Sequence, residues 1–396
     1  MRFFKQYLSN SAIVSAGILC AIINTVLFTN TFSMDDYGLI ITLFLYSQII
    51  QSVGILGLTE LSIKIHSDKV GLKYSADLLF LALAQSLTCV PLVIISSLIL
   101  EIPFAILFSL TGAQIGLKFF AIYYRTMGFI KTYNMINSSI FNFTIVILLV
   151  VLPQNGPLYF LLYFSLSLGG ILCIFILINL NQFMKLNKNK PIFSKKLFYE
   201  SLNIGLLVIF NSFFVTVDQL LVGGIEGTSA LASYKITLLI FLAGTFPHTV
   251  VNSIVGPKVA RLCNFKKFKF LERYYWRLSL FQLLFCSLSI MIFFTIIKFF
   301  GTRLYPDSYM PDTLSFMWLF LASIAVSLRG ISTIILIQLN LKRYLFMGQV
   351  IYTTTIIALY FALIEFDYFT SMPLVFTIAH IIFCIFILNK MFIALK

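Results

Sequence analysis

Charge is scarce in this chain. Only 11% of its 396 residues are charged, and 14 of them are acidic. A soluble domain carries about 25% charged residues, so most of this chain is not built to face water. Cysteine is sparse too, with six residues. Cys20, Cys89, Cys173, Cys286 and Cys384 fall inside apolar runs, Cys263 lies between two of them, and none makes a CxxC pair. That excludes a zinc site and a disulfide framework. No Walker loop and no GxGxxG after a strand is present, which excludes the known ATP and dinucleotide cradles. No cofactor, metal site or catalytic residue is expected, and the chain reads as a non-enzyme. The formal charge of +14 has no basic soluble domain to carry it, so nucleic acid is not an expected partner. The basic excess instead fits loops that face an anionic membrane leaflet.

What the chain does have is apolar length. Twelve stretches, about 11–30, 39–61, 77–99, 104–124, 135–152, 158–180, 203–223, 231–256, 278–298, 313–338, 344–363 and 372–389, are long enough to cross a bilayer, which takes about 20 apolar residues per helix. Met1-Arg2-Phe3-Phe4-Lys5 mimics the start of a signal peptide, but no small-x-small cleavage site follows, so the first stretch is kept as a span.

Basic residues fall in alternate gaps between the spans. Lys64, Lys69 and Lys73 fill the second gap, and Arg125 and Lys131 the fourth. Lys185, Lys188, Lys190, Lys195 and Lys196 fill the sixth; Lys258, Arg261, Lys266, Lys267, Lys269, Arg273 and Arg277 the eighth; Lys342 and Arg343 the tenth. The other gaps hold acids or no charge: Asp35 and Asp36, Glu101, Glu226, and Glu365 with Asp367. Only the ninth mixes signs, with Lys298 and Arg303 beside Asp307 and Asp312. By the positive-inside rule both termini are cytoplasmic. The fold class is therefore an all-α polytopic membrane protein of about twelve transmembrane helices.

The most polar stretch, Asn181 to Glu200, contains Pro191 and reads as a linker between halves. The expected organisation is a six-helix lobe over 1–184, a basic cytoplasmic linker over 185–200 and a second six-helix lobe over 201–396. Six is even, so the lobes enter the membrane in the same direction as a parallel pseudo-repeat.

Charges within spans are costly and point to function. Lys118 shares one helical face with Thr111, Gln114 and Arg125, and that polar stripe favours a cavity cation over a snorkelling one. Arg329 lies about nine residues inside its span, with Ser315, Ala322, Ser332 and Thr333 on its side, and its donor fork suits phosphate. Asp218 and Lys235 flank a short outer turn; an ion pair is the simpler reading and a protonation switch the other. Gln48, Gln51, Asn24, Asn211, and His248 with Asn252 complete the polar set, and Pro247 is expected to kink its helix. The basic and aromatic segment Asn264 to Arg277 reads first as an interfacial belt.

With those residues placed, the chain resembles the polysaccharide flippases of the O-antigen exporter type, within the multidrug/oligosaccharidyl-lipid/polysaccharide exporter superfamily. The matches are Phe32-Ser33-Met34-Asp35-Asp36-Tyr37-Gly38 with Leu56-Gly57-Leu58; Arg125, Gly128 and Lys131; Asp218 to Gly223 with Tyr234-Lys235; and Pro257-Lys258 with Arg261-Leu262. Gln219 stands where relatives often carry Arg, and the first span lacks the Arg of lipid II flippases.

The resemblance implies two lobes around a central cavity in a bacterial cytoplasmic (inner) membrane. It implies alternating access that moves an undecaprenyl-diphosphate-linked oligosaccharide, an O-antigen or capsule repeat unit, to the outer leaflet. Lys118, Arg329 and Lys235 would receive the diphosphate. Gln114, Gln48, Gln51, Asn211, His248 and Asn252 would serve as further cavity contacts, with amides for the sugars. Arg125 and Lys131 would give a headgroup access from the cytoplasm. A proton or sodium ion, membrane lipids and polysaccharide polymerase machinery are the candidate partners.

Two other readings compete. A membrane glycosyltransferase or polymerase would use Asp35 and Asp36, but the outer loops are very short for two substrates, and a helix cap accounts for the pair. A cation-coupled drug exporter of the same superfamily would favour acids in its cavity, whereas Lys118, Lys235 and Arg329 here face Asp218 and Glu60.

Overall fold

The structure is a computed structural model that describes residues 2–55, 57–58, 87–126, 129–151, 156–186, 195–306, 309, 312–364 and 371–395. Every element among them is helical, because in hydrocarbon only a helix or a closed barrel satisfies its own backbone. In chain order the helices are α1 Arg2–Thr31, α2 Met34–Ile55, α3 Val90–Ile99, α4 Phe104–Thr126, α5 Ile130–Asn134, α6 Phe141–Val151, α7 Pro157–Leu186 and α8 Lys195–Leu221. They continue with α9 Thr228–Asn264, α10 Phe268–Leu304, α11 Thr313–Arg329, α12 Ser332–Gln338, α13 Lys342–Ile364 and α14 Ser371–Leu395.

Among the described residues, ten helices are long and apolar enough to span, and α5 with α6 makes an eleventh, bent by 47°. Of the expected third span only Leu87–Ile99 is described, as a 3-10 turn leading into α3. Glu60, the loop with Lys64, Lys69 and Lys73, positions 187–194 of the linker, Asp307, and Glu365 with Asp367 lie outside the described residues. The chain is thus an all-α, multi-pass membrane protein.

Three helices depart from the expected spans. The segment around Lys269 to Arg277 is not loop: α10 starts at Phe268, and the break after α9 narrows to Phe265–Lys267. Leu271, Tyr275 and Leu278 bury one face of that start while Arg273, Trp276 and Arg277 stay exposed, so a helical period underlies the basic, aromatic run. The tenth span breaks at Gly330 and Ile331 into α11 and α12. Finally, α9 stays a single helix across Pro247.

The chain packs as two compact units. One comprises Met1–Ile18, Thr25–Gly38 and Phe213–Lys396; the other comprises Leu19–Asn24 and Leu39–Ser212. The second unit centres on Phe44, Phe141 and Phe164, whose rings meet edge to face at 4.9 to 5.6 Å. In the first unit, Ala322, Ser323, Ser327 and Ser332 are buried without exposure, since small side chains let membrane helices approach closely. Large apolar residues such as Leu280, Leu284, Leu288 and Met291 of α10 point outward, as a lipid-facing surface requires.

The first unit also holds the turn between α1 and α2. Ser33 caps α2: its hydroxyl accepts from the Asp36 amide at 3.2 Å and donates to the Asp36 carboxylate at 2.8 Å. The Asp36 amide is thereby satisfied by the N-cap hydroxyl, which its own carboxylate holds in place. Asp35 instead accepts from the hydroxyls of Thr228 (2.9 Å) and Ser229 (2.5 Å) at the start of α9. Gly38 allows this approach, because a Cβ there would lie 2.1 Å from the Thr228 carbonyl oxygen.

Candidate functional site

Each unit contains a cluster of polar side chains within its spans. In the second unit α4 carries the expected stripe. Thr111 and Gln114 are buried, and neither the Thr111 hydroxyl nor either end of the Gln114 amide has a partner among the described residues. Gln51 of α2 donates to the Gln114 carbonyl at 3.0 Å. Lys118 donates to the Asn137 side chain, which stands on the π turn Met135–Ile140 between α5 and α6. Such turns recur at functional sites because they widen the backbone ladder and redirect side chains.

About two helical turns beyond Lys118, the Arg125 guanidinium lies 4.5 Å from the centre of the Tyr133 ring and donates to its hydroxyl at 3.2 Å. Two cation contacts thus tie α4 to the bent span. Lys131 is exposed. Gln48 and Asn211 are exposed as well. Asn24 donates to the Asn142 carbonyl at 3.0 Å, a helix-packing contact.

The first unit brings Asp218 and Lys235 close without joining them. Asp218, 1% exposed, accepts from the Tyr234 hydroxyl at 2.7 Å. Lys235 donates to the Gln219 side chain at 2.9 Å. Charge still couples the two residues, but the expected direct ion pair is replaced by two parallel hydrogen bonds. The reason is the π turn Val222–Glu226, which sets the hairpin register so that residues sixteen apart face each other.

Deeper in the same unit lies a second cluster around the break in the tenth span. Arg329 ends α11. Its guanidinium sits 4.8 Å from the centre of the Phe383 ring. Its Nε is buried and makes no hydrogen bond among the described residues. The groups its charge feels are Cys384 and Tyr352, with no carboxylate among them. His248 and His380 both feel the Arg329 charge. His248 bonds Asn252 at 2.9 Å through its Nε2, and the Tyr352 hydroxyl meets the His380 Nε2 at 3.3 Å.

Gly330 has φ +52°, and a Cβ there would be 2.4 Å from the Ser279 hydroxyl. Tyr275 donates to the Leu328 carbonyl at 2.5 Å, satisfying one acceptor that the break sets free. Of the expected residues, Arg329, His248 and Asn252 therefore come together. His380, Tyr352 and Phe383 were not read from the sequence. The signal for His380 was present, since it interrupts an apolar span as His248 does.

Just past the C-terminal end of α10, burial pushes the Tyr305 phenol up to about 12. Burial and then the Asp35 charge raise Tyr309. Among the described residues no group of three or more metal-ligating side chains occurs.

No family model matches the chain, and no curated protein matches it in sequence. Solved structures do match its fold. A transporter of the MOP superfamily from Pyrococcus furiosus, described as having a binding pocket of reversed polarity that suggests a different function, is 12% identical with a TM-score of 0.71; the match covers 99% of this chain and 95% of that one. A Vibrio cholerae MATE transporter is 13% identical with a TM-score of 0.68, over 99% and 96% of the two chains. An outward-facing multidrug resistance MATE transporter of the MOP superfamily is 10% identical with a TM-score of 0.66, over 99% and 95%. The chain thus has the fold of MATE and other MOP-superfamily transporters along nearly its whole length.

Proposed function

We propose that this protein is a membrane transporter that flips an undecaprenyl-diphosphate-linked oligosaccharide from the cytoplasmic to the outer leaflet by alternating access. The observation that carries the reading is Arg329, a half-buried cation within a span whose Nε is buried and unbonded among the described residues and whose charge is felt by Cys384 and Tyr352 rather than by a carboxylate. A buried guanidinium N–H without an acceptor is costly, and a diphosphate is a ligand whose geometry and charge suit the fork. Lys118, held by Asn137 in the other unit, is a second cation within a span. The Pyrococcus furiosus relative in fold, with its pocket of reversed polarity, is a precedent for departure from drug export on this architecture. The motifs around Asp35, Asp218 and Tyr234 support the polysaccharide branch. The cell inner membrane, cytoplasmic termini, two six-helix lobes and a role in O-antigen or capsule polysaccharide biosynthesis belong to the same proposal, as do a coupling ion and polymerase machinery as partners.

A second reading has its own observation. The buried carboxylate of Asp218 suits a cation-coupled drug exporter, and the likeness to a multidrug resistance transporter agrees with it. Proteoliposomes decide between the two. Loaded with a diphosphate-linked oligosaccharide, the wild type should translocate it, and Lys118→Ala or Arg329→Ala should reduce the rate at least tenfold at equal protein level. Efflux of a cationic dye that survives both substitutions, with no oligosaccharide movement, would replace the flippase by the drug exporter.

A further inference from the structure

Arg329 does not stand alone. Its guanidinium carbon lies 4.8 Å from the centre of the Phe383 ring, its charge reaches Tyr352 and His380, and those two meet each other at 3.3 Å. The Nδ1 atom of His380 is buried and without a partner among the described residues, as is the Arg329 Nε. One further helix adds His248 with Asn252. The cluster therefore collects a guanidinium, two imidazoles and a phenol from α9, α11, α13 and α14. The carboxylate that Tyr352 feels is Asp218, itself engaged by Tyr234. Buried polar atoms are seldom left unpaired, and donors that converge without an acceptor define a place for an anion.

We infer that Arg329, His380 and Tyr352 together form a phosphate-recognition site inside the first unit, and that His380 and Tyr352 are binding residues for the diphosphate. The inference rests on the flippase reading and deepens it. The planar guanidinium fork beside the Phe383 ring can meet two phosphate oxygens in parallel. Tyr352 donates its hydroxyl to a third oxygen, or hands that role to the His380 ring to which it is bonded. Arg329 stands within the tenth apolar stretch, nine residues before Gln338, at the break between α11 and α12.

The test uses the full-length purified protein and radiolabelled farnesyl diphosphate as probe, with farnesol as the uncharged control and phosphatidylglycerol as the resident-headgroup control. Binding is read as Kd by equilibrium dialysis. Farnesyl diphosphate should bind and farnesol should not. Arg329→Gln should raise Kd at least tenfold, and His380→Gln and Tyr352→Phe about threefold to tenfold. Arg329→Lys keeps the charge and the fold but not the fork, so it should fall between wild type and Arg329→Gln.

Competition by phosphatidylglycerol that is lost with Arg329→Gln would keep the site and identify its ligand as a headgroup. Unchanged Kd in all four variants would overturn the site, and if Lys118→Gln then abolished binding, the flippase reading would survive with its diphosphate in the other unit. No binding of either anionic lipid by the wild type would overturn the inference. Oligosaccharide translocation in proteoliposomes then shows whether the flippase reading falls with it.

Discussion

Lys235 donates to Gln219 over 2.9 Å, one residue beyond the carboxylate that its sequence position offers as a partner. The neighbouring carboxylate, Asp218, is bonded to Tyr234 at 2.7 Å. Both contacts span sixteen residues, and the pair 218 and 235 is out of register by one. Asp218 is 1% exposed and its Oδ1 has no partner among the described residues, so the Tyr234 hydroxyl is its main donor. Hydrogen bonds to a charged group contribute about 1.5–3 kcal/mol. Tyr234→Phe should therefore destabilise the protein by about that amount, and Lys235→Met by less. Thermal unfolding of the two variants in detergent measures the order, and equal losses would mean that Lys235 holds the carboxylate after all.

The contact between Gly38 and Thr228 predicts a second result. A methyl group at position 38 would lie 2.1 Å from the Thr228 carbonyl oxygen and 2.8 Å from its Cβ. Helix α2 would have to shift, and the two hydroxyls that Asp35 accepts from would move with it. Overpacking of this kind costs about 1–3 kcal/mol, and loss of the bonds to Asp35 adds to it. Gly38→Ala should lower the unfolding temperature, whereas Thr228→Ala alone should lower it less. A neutral Gly38→Ala would show that the turn rearranges at no cost.

These two cases show what the sequence could and could not convey. Span lengths and alternating charge follow from composition alone, because the bilayer thickness fixes one and the loop charges the other. Lys118, Arg329 and Asp218 stand out because ionisable residues are rare in apolar runs. The Ser33 and Asp36 cap is legible from spacing. Partner identity is not. A π turn shifts a hairpin register by one residue, as between Asp218 and Lys235, and no local signal in Val222–Glu226 announces it. The amphipathic start of α10 is hidden for another reason: Arg273 and Arg277 dominate the composition, while Leu271 and Tyr275 carry the helical period. The grouping of His380 and Tyr352 with Arg329 depends on packing between helices that lie far apart in sequence.

Cys263 offers a chemical check on the C-terminal end of α9. It is 6% exposed, and burial pushes its thiol up to about 11. The thiolate is the reactive form. At pH 8 only about one Cys263 in a thousand is ionised, so maleimide labelling of native protein should be slow. The rate should rise with each pH unit towards 11, since ionisation grows as pH approaches the raised value. A rate at pH 8 equal to that of a free thiol would place Cys263 in an open, polar environment and contradict its burial.

Gly330 governs the break in the tenth span, and its substitution separates backbone strain from side-chain crowding. At φ +52° and ψ −131° the residue occupies a region that L side chains avoid, at a cost of about 1–3 kcal/mol. A Cβ would also meet the Ser279 hydroxyl at 2.4 Å and the Gln282 amide oxygen at 3.3 Å. Gly330→Ala should therefore be strongly destabilising. Adding Ser279→Ala should relieve the crowding, since the Cβ of position 279 at 3.5 Å is an ordinary contact, but should recover only part of the loss because the backbone strain persists. If the helix instead straightens through position 330, Arg329 turns away from Phe383 and farnesyl diphosphate binding falls with stability. Wild-type stability together with wild-type binding in Gly330→Ala would mean that the break is not needed to hold Arg329 in place. A normal unfolding temperature with lost binding would show the opposite: the break exists to aim the guanidinium.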